Sequence, residues 1–203
     1  MKKVLAVLAA MAVAVLALAG CGGTDDKKAA TETKVLKVGA TAVPHAEILE
    51  QIKDDLKAEG IDLQVVEFND YVQPNLALND KELDANYFQH APYLENFIKE
   101  HPEVKLANAA GIHIEPMGIY SHKVKSLNEV KDGATVAIPN DPTNGGRALI
   151  LLSKAGLITL KDNNDIAATV NDITANPKNL KFQELEAAQV PRSIDDVDLA
   201  VIN

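Results

Sequence analysis

The chain has 203 residues, a formal net charge of −9 and a single cysteine. The acidic balance, together with the lack of any lysine and arginine cluster, excludes a nucleic-acid partner, because such a protein must neutralise phosphates. One cysteine excludes a disulfide within the chain, so the stability of the fold must come from packing.

The first predicted element is an export leader over residues 1–20. Lys2 and Lys3 precede an apolar run at 4–19, which is short for a membrane-spanning helix. The run ends in Leu18-Ala19-Gly20-Cys21, which resembles a bacterial lipobox. We therefore expect the leader to be removed and Cys21 to carry a lipid that anchors the protein on the extracytoplasmic side of a cell membrane. An ordinary secreted protein with a chance cysteine is the alternative.

Residues 21–33 are almost entirely polar and small, and they predict a flexible linker after the lipidated cysteine. The chain that follows is long enough for one domain or two small lobes. Its first half alternates strands and helices, which favours a parallel sheet. The predicted elements are a strand at 34–41, a helix at 44–59, a strand at 61–65, a helix at 75–79, a strand at 83–88 and a helix at 92–101.

The second half begins with residues 104–121, which predict mostly strands. Ser126 and Glu129 have the spacing of a capping box, and a new strand-helix pattern follows them. The predicted elements are a strand at 135–138, a loop at 139–146, a helix at 147–155, a strand at 180–185, a helix at 186–193 and a strand at 198–202. This pattern predicts an α/β fold of two lobes, 34–119 and 120–203, each a mostly parallel sheet flanked by helices. Because the chain stops directly after an apolar strand, we expect a further segment to complete the first lobe.

The first segment that could bind a ligand is the strand-loop-helix junction at 139–147. Its two glycines would let the backbone approach a ligand, Thr143 or Asn144 would cap the helix, and Arg147 matches a carboxylate through two parallel hydrogen bonds. A turn-rich loop with an exposed arginine is the alternative. No Walker A sequence is present, so a nucleotide is not indicated.

Two further segments carry candidate residues. Residues 84–93 hold three of the eight aromatic residues of the chain at a strand-to-helix junction, where they could line an apolar pocket or simply form core. Residues 111–118 place His113 and Glu115 on one face of a predicted strand, facing a polar ligand or solvent.

The sequence contains no motif for catalysis. A nucleophile elbow is absent and Cys21 is assigned to the leader, so we predict that the chain is not an enzyme. Five histidines leave a transition-metal site conceivable, but none has H-x-x-x-H spacing. We predict neither a metal nor a cofactor.

Five stretches closely resemble the methionine-binding lipoproteins of the MetQ (NlpA) family, and the resemblance covers everything after the linker. They are TAVPHAEIL (41–49), FNDYVQPN (68–75), LDANYFQHAPYL (83–94), IEPMGIYS (114–121) and IPNDPTNGGRAL (138–149). The resemblance implies a two-lobed periplasmic-binding-protein-like fold of type II. It also implies a substrate-binding protein that delivers methionine to an ABC importer, which consists of a permease with its ATPase.

The resemblance also implies roles for individual residues. One group would surround the thioether side chain of the ligand: Tyr71, Phe88, His90 and Tyr93. A second group would hold the amino-acid head group: Asn144, Arg147 and Asn203, with Glu115 as a further candidate for the ammonium group. Two alternatives stay open, namely the same fold with another amino acid or a methionine-containing dipeptide, and a surface-interaction lipoprotein with a degenerate cleft.

Overall fold

The computed structural model describes residues 33–203, so the predicted leader, Cys21 and all of the linker except Thr33 lie outside the described residues. The strands are β1 (Lys34–Thr41), β2 (Ile61–Phe68), β3 (Ala85–Tyr87), β4 (Gly118–Tyr120), β5 (Thr135–Pro139), β6 (Thr159–Leu160), β7 (Ile173–Ala175), β8 (Lys181–Leu185) and β9 (Leu199–Ile202). The α-helices are α1 (Glu47–Gln51), α2 (Lys53–Ala58), α3 (Gln73–Asn79), α4 (Ala91–Glu100) and α5 (Pro142–Lys154). None of these helices has both the length and the apolar character needed to cross a bilayer.

Two larger sheets organise the fold, and parallel pairs predominate in both. The first has the order β2-β1-β3, with both pairs parallel. The second has the order β4-β9-β5-β8, in which β4 is antiparallel to β9 and the other pairs are parallel. The predicted α/β class with mostly parallel sheets is therefore confirmed. The predicted lobe boundary, between residues 119 and 120, falls inside β4, and the division into two lobes stays a prediction.

The first sheet forms the predicted strand-helix-strand unit, in which α1 and α2 connect the parallel strands β1 and β2. The helix predicted at 44–59 is shorter and interrupted. Residues 42–46 form a separate turn before α1, and Ile52 separates α1 from α2. The N–H of Ile52 donates to the carbonyl of Leu49, three residues back, which tightens the helix at this point and breaks it.

The second sheet contains the larger core. Side chains from β5, α5 and β9 pack together with at most 1% of their surface exposed: Val136, Ile138, Leu149, Leu152 and Leu199. Burial of a side chain of this size contributes about 1.5–3 kcal/mol to the free energy of unfolding. This packing holds α5 firmly against β5, and so it fixes the position of the start of α5.

Helix α5 begins five residues earlier than the predicted start. Pro142 occupies the first turn, where a backbone N–H would have no acceptor within the helix. Asp141 is the N-cap, because its side chain accepts a hydrogen bond from the N–H of Asn144 at 2.9 Å. The prediction that Thr143 or Asn144 caps the helix was therefore wrong. Residues 142–146, predicted as loop, form the first turn of the helix.

The prediction of strands over 104–121 was also wrong, except at β4. Ile112 and Ile114 alternate with polar residues as a strand would require, yet they are 68% and 91% exposed. Alternation predicts a strand only where one face can be buried against a core. Here the alternating side chains have no core to cover them.

Two short segments of the second half form 3-10 turns. The Ser126 side-chain hydroxyl accepts a hydrogen bond from the N–H of Asn128, and the Glu129 N–H donates to the Ser126 carbonyl, so the predicted capping box leads into a single 3-10 turn at Leu127–Glu129. The helix predicted at 186–193 is a 3-10 helix, Ala187–Ser193, with Pro191 inside it. Proline lacks the N–H that a continuing α-helix needs.

Candidate functional site

Except for Glu115, which precedes β4, the predicted site residues lie beyond the carboxyl ends of strands. Tyr71 follows β2, Phe88 and His90 follow β3, Arg147 lies in the helix after β5, and Asn203 follows β9. Open α/β sheets bind their ligands at this edge, because side chains from several connections meet there. The order of strands in the two sheets thus brings together residues that are far apart in the sequence.

Five rings form an aromatic cluster at this edge: Tyr71, Phe88, His90, Tyr93 and Phe97. The centroids of neighbouring rings are separated by distances from 5.6 Å, between Tyr71 and Phe88, to 6.4 Å, between His90 and Tyr93. The Tyr93 hydroxyl donates to the carbonyl oxygen of Tyr71 at 3.0 Å, which ties α4 to the segment after β2. The four rings named from the sequence are brought together, and Phe97 is a fifth that the sequence analysis missed. Such a group of rings can surround an apolar side chain, and sulfur contacts ring edges favourably.

A network of buried amide side chains stabilises the junction between β3 and α4, where Phe88 and His90 lie. Asn75, which is 0% exposed, donates from Nδ2 to Gln89 Oε1 at 3.0 Å, and Gln89 Nε2 donates back to Asn75 Oδ1 at 2.7 Å. Asn86 Nδ2 donates to the same Asn75 oxygen at 2.9 Å. Buried amides that satisfy one another make a network rigid. No sequence pattern indicates this network, because its three amides are separated along the chain.

Arg147 is held by contacts on both sides of its guanidinium. Nη1 donates to Asn144 Oδ1 at 2.9 Å, and Nη2 donates to the carbonyl oxygen of Glu115 at 3.3 Å. Asn144 is in turn held by Asp141 Oδ2, to which its Nδ2 donates at 3.0 Å. Burial lowers the pKa of Arg147, while the nearby Asp141 and Glu115 carboxylates act to raise it. The group stays charged, and these two contacts use two of its five N–H donors, so a carboxylate can still bind to it.

The two glycines before Arg147 have a role different from the one expected. A Cβ on Gly145 would lie 2.8 Å from the carbonyl oxygen of Pro139, and a Cβ on Gly146 would collide with the carbonyl of Ile166. The glycines therefore allow the first turn of α5 to pack against the protein's own backbone. They position Arg147 indirectly, by letting the helix start close to β5.

Two buried polar atoms of the site have no hydrogen-bond partner within residues 33–203. They are His90 Nε2 and Asn203 Oδ1, although Asn203 Nδ2 does donate to the Tyr71 hydroxyl at 3.1 Å. Burial, with the positive charge of Arg147 as a smaller cause in the same direction, lowers the pKa of His90 to about 4. The imidazole is therefore neutral near pH 7. Buried polar atoms without partners cost free energy, so they indicate a place where a polar ligand completes the site.

The Glu115 side chain belongs to a different group of residues. Its Oε1 lies 2.9 Å from His113 Nε2 and 3.5 Å from His45 Nε2. The second ring nitrogen of each histidine is also engaged, since His45 Nδ1 lies 2.7 Å from the Thr41 hydroxyl and His113 Nδ1 lies 2.6 Å from the Tyr87 hydroxyl. Burial lowers the pKa of His45, against the opposing effect of Glu115. Residues 111–115 form no strand, but His113 and Glu115 are in contact. The contact of His45 with Glu115 was not predicted.

A shallow depression of about 410 Å³ also borders Arg147. Its wall includes Met117, Ile150, Leu151 and Lys154, and none of the five clustered rings lines it. The two buried atoms without partners do not line it either. We therefore place the candidate site at the aromatic cluster.

Comparison with known proteins gives consistent matches over nearly the whole described chain. A family profile described as NlpA lipoprotein matches residues 36–203. The D-methionine-binding lipoprotein MetQ of Salmonella typhi is 49% identical over 190 residues, which are 93% of this chain and 68% of that protein. A nutrient binding protein from Burkholderia cenocepacia bound to methionine is 48% identical with a TM-score of 0.76, over 83% of this chain and 71% of that chain. Immunogenic lipoprotein A from Vibrio vulnificus is 45% identical with a TM-score of 0.78, over 83% of this chain and 73% of that one.

Proposed function

Because this chain belongs to the NlpA lipoprotein family, we propose that it is a substrate-binding lipoprotein that binds methionine. Its relatives carry the name D-methionine-binding lipoprotein, and the related Burkholderia protein was solved bound to methionine. The prediction that the chain is not an enzyme is confirmed by its membership of a family of binding lipoproteins.

One observation carries the choice of ligand: a half-buried guanidinium and two buried atoms without partners lie beside a wall of aromatic rings. A methionine zwitterion matches the guanidinium, the Asn203 side-chain oxygen and the rings. Its carboxylate would pair with Arg147 through two parallel hydrogen bonds, and its ammonium group would donate to the Asn203 side-chain oxygen. Its thioether would contact the rings of Phe88 and Tyr93, where sulfur is a favourable neighbour.

We further propose that residues 34–119 and 120–203 act as two lobes that close over the ligand. Two hydrogen bonds that already join these segments support this proposal. The Asn203 side chain donates to the Tyr71 hydroxyl, and the Arg147 side chain donates to the Glu115 carbonyl. Each pair joins one residue of the first proposed lobe to one residue of the second. A ligand held by both pairs would therefore stabilise the closed arrangement.

A lipoprotein family indicates an extracytoplasmic protein anchored to a membrane. We propose that the anchor is a lipid on Cys21 and that residues 21–33 act as the linker between the membrane and the folded chain. A binding protein held at the membrane in this way would deliver methionine to an ABC importer, with a permease and its ATPase as partners. The sequence places this cysteine directly after an apolar leader, which supports the proposed anchor.

Calorimetric titration of the purified protein, after removal of any bound ligand, tests the function. We expect methionine to bind, and L-methionine, D-methionine, norleucine and a methionine-containing dipeptide should be compared. Norleucine has the same length but lacks sulfur, so weaker binding of norleucine would support the thioether contact with the rings. A protein that binds none of these compounds would refute the proposal.

Arg147→Ala tests the head-group site. The substitution leaves the ligand carboxylate unpaired in a closed site, a loss of about 2–5 kcal/mol, which corresponds to a roughly 30-fold to several thousand-fold weaker Kd. Arg147→Lys should recover only part of this loss, because an ammonium group cannot form the planar pair of bonds. Lys161→Ala is the control for the loss of a positive charge, since Lys161 is exposed. Binding by Arg147→Ala within threefold of the unmodified protein would place the head-group site elsewhere.

A further inference from the structure

We infer that His45, His113 and Glu115 form a zinc-binding site beside the proposed methionine site, which Glu115 contacts only through its backbone carbonyl. The three side chains come from two different connections: His45 follows β1, while His113 and Glu115 precede β4. They offer two imidazole nitrogens and one carboxylate oxygen, and these ligand atoms all lie within 4.8 Å of one another. This is the ligand set of zinc sites that keep a fourth position for water.

The spacing of the donor atoms suits a single tetrahedral ion. Zinc bonds to nitrogen and oxygen are about 2.0–2.2 Å long, so the donors of a tetrahedral site are separated by roughly 3.3 Å. Glu115 Oε1 lies 2.9 Å from His113 Nε2 and 3.5 Å from His45 Nε2, one distance on each side of that value. The third pair, the two imidazole nitrogens, lies within 4.8 Å, so side-chain rotations must remove any excess over about 3.3 Å to bring the three donors around one ion.

The outer contacts of both histidines match those of metal ligands. In each ring, Nδ1 contacts a hydroxyl oxygen, that of Thr41 for His45 and that of Tyr87 for His113, and Nε2 points toward Glu115. A histidine that binds zinc through Nε2 donates its Nδ1–H to such an oxygen, and this outer contact fixes the ring and strengthens the ligand. The carboxylate supplies the negative charge that a divalent cation requires.

The cluster is also accessible. His45 is buried, but the side chains of His113 and Glu115 are each about one third exposed. The flanking Ile112 and Ile114 are exposed as well, so the segment lies at the surface. An ion can thus reach the buried His45 from the solvent side, and water can occupy the fourth position.

Zinc binding to the purified protein, first stripped with EDTA, is the direct test. Titration with zinc chloride, followed by calorimetry, should show one site per chain. Co²⁺, which occupies zinc sites and absorbs visible light, should bind in the same ratio. Glu115→Gln and His113→Ala should each weaken the zinc Kd by at least 100-fold, because removal of a direct ligand costs at least as much as loss of an outer contact. Tyr87→Phe, which keeps the ring and removes the hydroxyl, should weaken it by about 10- to 100-fold.

Matched controls come from two other histidine-carboxylate pairs of the chain. His101 lies 3.4 Å from Glu103 and His122 lies 2.6 Å from Asp195, but neither pair has a third ligand within residues 33–203. His101→Ala and His122→Ala should bind zinc within threefold of the unmodified protein. Thermal unfolding without zinc verifies that each variant is folded, and His113 is exposed enough for His113→Ala to meet this condition. The proposal is overturned if no stoichiometric site is found, if the Glu115 and His113 variants bind normally, or if the controls lose as much affinity.

Discussion

His90 should make the stability of this protein depend on pH, and it allows a test in the absence of ligand. Burial lowers the pKa of the folded imidazole to about 4, from 6.5 for an unperturbed histidine. Between these two values the unfolded chain binds a proton more readily than the folded chain does. The free energy of unfolding must therefore fall as the pH drops from about 6.5 toward 4, and His90 has no effect on it above that range.

The size of the effect follows from the same two values. The difference between 6.5 and about 4, at 1.36 kcal/mol for each pH unit, sets an upper limit of about 3.4 kcal/mol for full protonation. At pH 4.5 the limit is about 2.5 kcal/mol. Most folded molecules then still carry an unprotonated imidazole, so the full penalty has not been reached. His90 is only partly buried, and water screens the penalty on its charged form, so we expect about 1–2 kcal/mol at pH 4.5.

Urea unfolding at several pH values between about 7.5 and 4.5, for the unmodified protein and for His90→Gln, measures this contribution. Glutamine keeps a polar side chain but cannot titrate in this range. The difference between the two unfolding free energies should change by about 1–2 kcal/mol across the range, in favour of His90→Gln at low pH. Comparison of the two proteins removes the effect of the other titrating groups, such as Asp198, whose pKa is lowered by its hydrogen bond to the Thr135 N–H. Parallel pH curves for the two proteins would refute the reasoning.

Single substitutions test the packing of α5 and the proposed lipid anchor. Gly146→Ala should reduce the free energy of unfolding, measured by urea titration, by about 1–3 kcal/mol, because its Cβ would collide with the backbone carbonyl of Ile166. Gly111→Ala is the control and should have little effect, because no atom lies within 4 Å of its Cβ. Equal stability of the two variants would contradict the close contact. Cys21→Ser should move the protein from the detergent phase to the aqueous phase, since no helix of residues 33–203 can hold it in a bilayer, and unchanged partitioning would disprove the lipid anchor.

Local sequence predicted the central strands well. Residues 34–41, 135–138 and 198–202 are apolar runs bounded by polar or turn-forming residues, and they became β1, β5 and β9. Such runs form buried parallel strands wherever helices cover the sheet. Alternation failed at 111–115, because the apolar side chains there, Ile112 and Ile114, met no core that could bury one face. Burial is a property of the whole fold, so the period of a sequence cannot predict it alone.

Some features of the candidate site could also be predicted from the sequence, and others depend on the packing of the whole fold. Four of its five aromatic residues and Arg147 could be named from the sequence because they lie in continuous stretches that resemble a known family. The N-cap role of Asp141 and the close contact of Gly146 with Ile166 depend on how α5 meets β5 and the loop at 162–168.

The amino-acid sequence is enough to assign the fold class and the family, and it supplies the residue types for binding a zwitterion with an apolar side chain. Which polar atoms have partners depends on the tertiary structure. His90 and Asn203 each keep one buried atom without a partner, and Glu115, assigned by resemblance to the ligand's ammonium group, directs its carboxylate toward His45 and His113. The physical reason is that a hydrogen bond needs two groups within about 3 Å of each other in a defined geometry. For groups that are distant in the sequence, the strand order of the sheets sets that distance, and no spacing along the chain records it.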